Sequence, residues 1–410
     1  MTASFSRALS VHAVLAASLV PGLAFAQQRG PSSSQDPYIR PVAAGVKTVS
    51  ILTVGDAPQG SSYRMVGIPD GLGAARRFGS SFELFMNHEL TATAGVVRAH
   101  GQTGAFVSHW EIRKHDLKVL SGEDLIQSAT ISSGSPAFSR FCSGDLPARS
   151  AFFPFDFFAP LIYLNGEETG IEGRAFAHIA SGPDEGKSFE LPALGKLSFE
   201  NSLARPFPSF RTVVASLDDT TPGQVYFYLG FKRFSSDPIQ RAGLTGGSLY
   251  GVRIAGVPLE DRVTVLGGAT RFELAALGDV SAKTGTQLQA DSMAASVTEF
   301  LRPEDGTWHQ TDPRLFYFVT TDRFNQPGQD GRSRLWQLRF DNPFVPEFGG
   351  TITMLLDGTE GQQMLDNLTI DRHGNLLMQE DPGNQAHMAR VWQYTPASDT
   401  LKLIAEHDPR

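Results

Sequence analysis

The feature that most constrains the fold is a series of short, strand-like segments in a chain with little helical periodicity. Apolar and β-branched runs recur between Gly, Pro, Asn and Asp residues, which is the pattern of β-strands joined by turns. The clearest runs are residues 47–54, 82–86, 105–112, 161–164, 212–216, 224–229, 248–254, 315–320, 334–340, 375–378 and 390–394. Residues 371–375 predict a hairpin turn. Helical patterning is limited to residues 116–125 and 291–296.

The size of the strand-rich region selects the architecture. No Pro- and Ser-rich linker interrupts residues 45–410, so this segment is predicted as one domain. A single β domain of this length is too large for a sandwich, whereas a propeller repeats small sheets around an axis and protects their edges. We therefore predict an all-β fold, a β-propeller, with six blades as the preferred count.

The N-terminal residues 1–26 are typical of a cleavable signal peptide. Arg7 supplies a positive charge, residues 11–20 are mostly apolar, and Ala24-Phe25-Ala26 fits a cleavage site. The apolar stretch is shorter than the roughly 20 residues of a membrane-spanning helix. We therefore expect cleavage near Ala26 and a periplasmic or secreted protein with no membrane anchor. The polar, Pro-containing residues 27–44 are predicted to be a flexible lead-in.

Charge and cysteine content narrow the classes of partner. The formal net charge of −8 argues against nucleic-acid binding, which normally requires a basic surface. The single cysteine, Cys142, excludes a disulfide scaffold. In an exported protein such a cysteine is either buried and inert or a metal ligand. We expect a monomer that binds a small substrate.

Carboxylates recur where the strand-like runs end. They are Glu89, the pair Glu167 and Glu168, the pair Asp218 and Asp219, Asp322, and the pair Glu380 and Asp381. Polar surface turns explain any one of these. In a propeller, however, equivalent strand ends meet at one mouth of the central channel, where gathered carboxylates repel one another unless cations lie between them. Calcium, which takes six to eight oxygen ligands, would suit such a site.

Four segments carry the candidate chemistry. In residues 298–306, Pro303 biases Arg302 toward an extended backbone, so Arg302 and Glu304 are predicted to project to the same side. An arginine beside a carboxylate either holds a phosphoryl group against a metal or forms a surface ion pair. Residues 140–145 contain Cys142. Residues 193–201 contain Glu200, which is either a buried acid that needs a partner or an edge-strand glutamate facing water. Residues 364–381 place Asp366 and Glu380 at the two acidic ends of a hairpin.

These segments resemble the PhoX-type alkaline phosphatases over nearly the whole chain after the signal peptide. The matching stretches are residues 298–306, 316–321, 334–340, 349–358 and 366–381, with weaker matches at 87–89 and 194–200. The resemblance implies an exported six-bladed propeller that cleaves phosphomonoesters with iron and calcium ions. It also implies that Arg302 binds phosphate. The residues implied on or near iron are Cys142, Glu200 and Glu304, and those implied to serve calcium or to bridge metals are Glu167, Glu168, Asp366 and Glu380.

The chain departs from the family pattern in two places. Ser143 follows Cys142 in place of the usual glycine, and Phe199 stands where the family usually has histidine.

The leading hypothesis is a metal-dependent phosphatase. One alternative is a calcium-dependent lactonase or esterase propeller, which shares the rim acids but has no role for Arg302 or Cys142. The other is a non-catalytic, calcium-stabilised binding propeller, which the departure around Cys142 favours.

Overall fold

The computed structural model describes residues 26–132, 134–156, 158–261, 266–322, 331–383 and 385–409. Three short strands precede the repeating part of the fold: β1 (Ala26–Arg29), β2 (Ile39–Pro41) and β3 (Lys47–Ser50). The signal peptide predicted over residues 1–26 lies outside the described residues, apart from the backbone of Ala26.

The predicted lead-in, residues 27–44, contains regular structure. β1 pairs in parallel with β3, and β2 pairs with the strand Thr400–His407 near the other end of the chain. Polar, Pro-containing composition predicts a loop, but β2 adds its backbone to the open edge of an existing sheet, where main-chain hydrogen bonds offset an unfavourable composition.

Most of the chain is arranged in four-stranded antiparallel meanders. The first contains β4 (Pro69–Arg76), β5 (Ser81–His88), β6 (Phe106–Arg113) and β7 (Val119–Asp124). The second contains β9 (Phe141–Asp145), β10 (Ile162–Glu167), β11 (Ala175–Ile179) and β12 (Lys187–Glu190), with β8 (Ser128–Thr130) on its edge. The third contains β13 (Phe199–Ala204), β14 (Arg211–Asp218), β15 (Gly223–Phe231) and β16 (Ser248–Ile254).

Three strands lie between the third and fourth meanders: β17 (Leu259–Glu260), β18 (Thr270–Gly278) and β19 (Glu299–Phe300). The fourth meander contains β20 (Pro303–Trp308), β21 (Leu315–Thr320), β22 (Arg334–Phe340) and β23 (Gly350–Leu356). The fifth contains β24 (Leu365–Ile370), β25 (Leu376–Glu380), β26 (Arg390–Thr395) and β27 (Thr400–His407). β18 pairs with both β16 and β23 and so joins two meanders in one sheet.

This strand order is that of an all-β propeller, as predicted. Each of the eleven strand-like runs overlaps a strand, and the turn at residues 371–375 joins β24 to β25. The described residues form five four-stranded meanders, so the predicted count of six blades is not confirmed.

The described helices are few and short. They are α1 (Pro238–Arg241), α2 (Gly285–Ala294) and three 3₁₀ turns, Arg149–Ala151, Pro192–Leu194 and Pro346–Phe348. α2 overlaps the predicted residues 291–296 but begins earlier, because Thr284 and Gln287 form a capping box. The predicted helix at 116–125 is wrong: residues 119–124 form β7, which pairs with β6. No described helix is long and apolar enough to span a membrane.

The first strands of the meanders lie side by side around the central axis. β4 contacts β9, β9 contacts β13, β13 contacts β20, and β20 contacts β24. Buried carboxylates tie neighbours together. The Ala204 amide donates to Asp145 Oδ2 (2.8 Å), and Asp305 accepts from Asn201 Nδ2 (2.7 Å) and from the Leu368 amide (3.0 Å). These hydrogen bonds fix the relative positions of the inner strands.

Candidate metal centre at the mouth of the propeller

Each meander places a chemically distinctive residue at the same position, the second residue of its first strand. These residues are Asp70, Cys142, Glu200, Glu304 and Asp366. In every meander the first residue of the first strand pairs with the last residue of the second strand. The pairing register then shifts at the next residue of the first strand, which is the residue named above. Such bulges re-aim side chains and are common next to functional sites.

A second set of residues follows the second strand of each meander. Its members are Glu89, Glu168, Asp219, Thr321 and Asp381. Because of the shared pairing register, both sets lie at the same end of the propeller. We call these ten residues the mouth cluster. Eight of them are carboxylates, and the cations that pair with them in the described part of the chain are Arg140 and Arg302.

Cys142 lies among carboxylates of the mouth cluster. Its Sγ is 3.2 Å from Glu200 Oε2 and 3.5 Å from Asp70 Oδ2. One ligand atom each from Cys142, Glu168 and Glu200 lies within 4.8 Å of the others. Burial, with the charge of Glu200, raises the pKa of the Cys142 thiol well above its ordinary value. A thiol in this state is inert on its own and becomes a good ligand only when a metal displaces its proton.

Arg302 lies beside other carboxylates of the mouth cluster. Its Nε and Nη2 bond to Asp219 Oδ1 (2.7 Å) and Oδ2 (3.1 Å), and Nη2 also lies 2.8 Å from Glu304 Oε1. One ligand atom each from Glu200, Asp219 and Glu304 lies within 4.8 Å of the others. The prediction that Arg302 is extended is wrong, because its φ is +59°. The expected proximity of Arg302 and Glu304 holds, since the left-handed residue turns the chain into β20 at the bulge.

The carboxylates of the cluster disfavour one another's ionisation. Burial raises the pKa of Glu200, with the charge of Glu304 adding to the effect, and raises that of Glu304, with Asp219 adding. Burial likewise raises the pKa of Asp366, with a contribution from Asp70. Burial alone would lower the pKa of Arg302, but the charges of Glu304 and Asp219 raise it. Among the described residues, these eight carboxylates pair with two guanidinium groups.

The excess of carboxylates over cationic partners indicates whether these residues fit metal ions. Buried carboxylates without enough counter-charge are costly, and divalent cations relieve that cost by direct coordination. The all-carboxylate group of Glu200, Asp219 and Glu304 matches the oxygen ligands of calcium. The thiol in the group of Cys142, Glu168 and Glu200 matches a transition metal such as iron. The residues present therefore fit bound metal ions, with Glu200 common to both groups, and the identities calcium and iron stay predictions.

Two predicted ligands, Glu167 and Glu380, occupy a different position. Each is the last residue of a second strand, one residue before the mouth cluster, and successive side chains on a strand point to opposite faces. Arg174 holds both Glu167 oxygens through Nε (2.7 Å) and Nη2 (2.6 Å). Glu380 accepts hydrogen bonds from Trp392 Nε1 and the Gln363 amide, both 2.8 Å long, and lies 2.7 Å from His387 Nε2. The structure thus gives both carboxylates protein partners outside the cluster.

The adjacent residues Glu167 and Glu168 provide a matched pair of variants. Glu167→Gln should lower the free energy of unfolding by about 3 kcal/mol, because it breaks a buried ion pair, and should leave the metal content unchanged. Glu168→Gln should lower the content of the metal held with Cys142 and Glu200, with a smaller loss of stability in chelator. Urea denaturation and elemental analysis measure both. A Glu167→Gln protein of normal stability that has lost metal would contradict this assignment.

The metal-free cluster should also make stability depend on pH. Burial raises the pKa of Asp70 to about 7, with Glu89 adding to the shift, and that of Glu168 to about 7, with Asp219 adding. Their ordinary values are 3.8 and 4.5, so between about pH 4 and 7 the folded protein binds more protons than the unfolded chain. In chelator, the free energy of unfolding should therefore fall as the pH rises through this window. Urea titrations at pH 5 and pH 8 test this, and a rise in stability would contradict it.

Sequence reasoning did not assign Asp70 to the site, and it noted Glu89 and Asp219 only as strand-terminal acids. One signal was present: Pro69-Asp70-Gly71 resembles Pro303-Glu304-Asp305-Gly306, and both segments begin a first strand. The other signal is positional, because the cluster uses the residue immediately after each second strand. That position cannot be read until the strand ends are known.

Comparison with known proteins supports the fold. No protein-family model matches the chain, and no curated protein does. Among solved structures, the chain is similar to PhoX of Pseudomonas fluorescens in complex with vanadate, described as a transition state analogue. The TM-score is 0.62 at 12% sequence identity, and the match covers 82% of this chain and 79% of PhoX. At this identity the similarity establishes a PhoX-like propeller fold.

Proposed function

We propose that this protein is an exported, metal-dependent phosphatase that hydrolyses phosphomonoesters at the mouth of its propeller. The observation that carries the proposal is the placement of Arg302 between Asp219 and Glu304, in a cluster where carboxylates outnumber their cationic partners. The same fold in PhoX is seen with vanadate, which supports phosphoryl chemistry over the lactonase alternative.

The cluster provides two neighbouring groups of ligands. Glu200, Asp219 and Glu304 would hold calcium, and Cys142 with Glu168 and Glu200 would hold iron; Asp366 and Asp70 would complete their surroundings. When bound, such ions polarise phosphoryl oxygens and neutralise their charge. The protein contributes the fixed geometry, since bulges and inter-strand hydrogen bonds hold each ligand before metal binds.

Arg302 would bind the phosphoryl group. Its contacts with Asp219 and Glu304 use Nε and Nη2 and none uses Nη1, while its side chain is 30% exposed at the mouth. The two carboxylates hold the planar guanidinium in one orientation. A preorganised donor of this kind stabilises the charge that develops on the phosphoryl oxygens in the transition state.

The sequence supports the rest of the proposal. Arg7, the apolar residues 11–20 and Ala24-Phe25-Ala26 fit a signal for export to the periplasm or beyond. We also propose that the substrate is a small phosphorylated molecule and that the protein acts as a monomer.

The test combines metal analysis with a choice of substrates. The purified protein should contain calcium and iron and should hydrolyse p-nitrophenyl phosphate, with little action on bis-p-nitrophenyl phosphate, p-nitrophenyl acetate or a simple lactone. Chelation should abolish the hydrolysis, and returning both metals should restore it. Calcium binding without hydrolysis would overturn the proposal in favour of a binding propeller, and lactone or acetate hydrolysis alone would favour the esterase alternative.

A further inference from the structure

Arg140 occupies the same position in its meander as Arg302. Each residue immediately precedes the first strand, Arg140 before β9 and Arg302 before β20. Both have the left-handed backbone that is uncommon for arginine, with φ of +47° and +59°. Met364, before β24, shares this conformation but carries no charge. Two structurally equivalent cations therefore face the mouth cluster.

The ion pairs of Arg140 also correspond to those of Arg302. Arg140 Nη2 lies 2.5 Å from Glu168 Oε2 and 2.7 Å from Glu89 Oε1, and its Nε donates to the Glu168 carbonyl (2.9 Å). These contacts, like those of Arg302, use Nε and Nη2 and none uses Nη1. Glu168 shares a ligand group with Glu200, and Glu200 shares the other with the carboxylates that hold Arg302. Each arginine thus pairs with a carboxylate that has a ligand atom within 4.8 Å of one of Glu200.

Exposure separates Arg140 from buried arginines that only tie the fold together, and its contacts with the mouth cluster separate it from exposed ion-paired arginines such as Arg253. The side chain of Arg174, paired with Glu167, is 8% exposed, and that of Arg334, paired with Glu260, is also 8% exposed. Arg140 is 41% exposed although it forms two ion pairs. A guanidinium that is held in place and still reaches solvent has donors available for a ligand.

We infer that Arg140 binds a second anionic group of the substrate, beside the phosphoryl group that Arg302 binds. This inference rests on the proposed function and specifies its substrate class: phosphomonoesters whose leaving group carries a phosphate or a carboxylate. Arg302 binds the phosphoryl group that is transferred, and Arg140 binds the anion that remains with the leaving group. A charge-assisted hydrogen bond of this kind corresponds to about a tenfold gain in affinity or more.

Binding of non-hydrolysable phosphonates tests the inference without requiring turnover. Methylphosphonate carries one anionic group, whereas methylenediphosphonate and phosphonoacetate add a phosphonate and a carboxylate. Calorimetry on the metal-loaded wild-type protein should show at least tenfold tighter binding of one or both two-group ligands, which also identifies the preferred second anion. Arg140→Gln should reduce that preference about tenfold. Arg253→Gln, at a comparably exposed arginine paired with Glu273, should leave it unchanged.

Two outcomes would overturn the inference. One is the absence of any preference for two-group ligands in the wild-type protein. The other is an equal preference in Arg140→Gln, in which case chelation of the bound metals explains it. If Arg140→Gln loses its metals, Arg140→Lys keeps a cation beside Glu168 and Glu89 but lacks the planar fork. Its preference should fall at least threefold, and an unchanged value would also overturn the inference.

The experiment separates this inference from the proposed function. Preferential binding that depends on Arg140, in a protein that hydrolyses no phosphomonoester, would refute the phosphatase and retain the second anion contact. Hydrolysis of p-nitrophenyl phosphate without any effect of Arg140 on ligand preference would do the reverse.

Discussion

Replacing Arg302 with alanine is expected to lower kcat/KM for phosphomonoester hydrolysis about a hundredfold or more. This is the usual cost of losing one preorganised donor that faces developing negative charge. The variant should remain folded and retain its metals, because the loss of the guanidinium leaves Asp219 and Glu304 with even greater need of a cation. Steady-state kinetics on p-nitrophenyl phosphate, with elemental analysis of the same preparation, measures both quantities.

Two further variants make the Arg302 result specific. Arg302→Lys should recover only part of the activity, because an ammonium group cannot contact Asp219 and Glu304 in the same planar arrangement. Arg253→Ala removes a partly exposed ion pair that lies outside the mouth cluster and should keep normal kinetics. Normal activity in Arg302→Ala would leave a phosphatase whose mechanism does not use Arg302.

Removal of bound cations is expected to cause the largest loss of stability. A ligand that binds only the folded protein adds about 4 kcal/mol when its free concentration is a thousand times its Kd. For a chain of this size that corresponds to a decrease in Tm of up to about ten degrees on chelation. The physical cause is the repulsion among the carboxylates of the mouth cluster. Calorimetric Tm in excess calcium and in chelator measures the effect, and identical curves would show that the cluster binds no stabilising cation.

A Glu200 variant tests whether the mouth cluster causes this loss of stability, because Glu200 belongs to both candidate ligand groups. Glu200→Gln should reduce or abolish the difference in Tm between calcium and chelator. In chelator the variant should be at least as stable as the wild-type protein, since a buried carboxyl that repels Glu304 has become neutral. Glu273→Gln, at an exposed carboxylate outside the cluster, should leave the calcium effect intact.

The fold was largely predictable because its evidence is local. Short apolar runs separated by turn residues identify outer strands such as β6, β15 and β22, whose side chains pack between sheets. The inner strands were mostly not recognised, because they are rich in glycine and polar residues. A Cβ on Gly71 would lie 2.3 Å from the Gly144 amide nitrogen, and one on Gly144 would lie 2.0 Å from the Tyr163 hydroxyl. Because the inner strands approach closely at the axis, they need glycine at such positions. The same glycine content removes the apolar pattern by which a strand is recognised in the sequence.

The sequence by itself determined that this chain forms many short strands, that its acids recur at strand ends, and that Arg302, Cys142 and Glu200 stand out chemically. Only the tertiary structure decided which acid of each adjacent pair enters the mouth cluster. Glu168 enters it and Glu167 pairs with Arg174, because neighbouring residues on a strand face opposite ways and a register shift of one residue exchanges them. The equivalence of Arg140 with Arg302 likewise arises from pairing between distant strands, which no local pattern encodes.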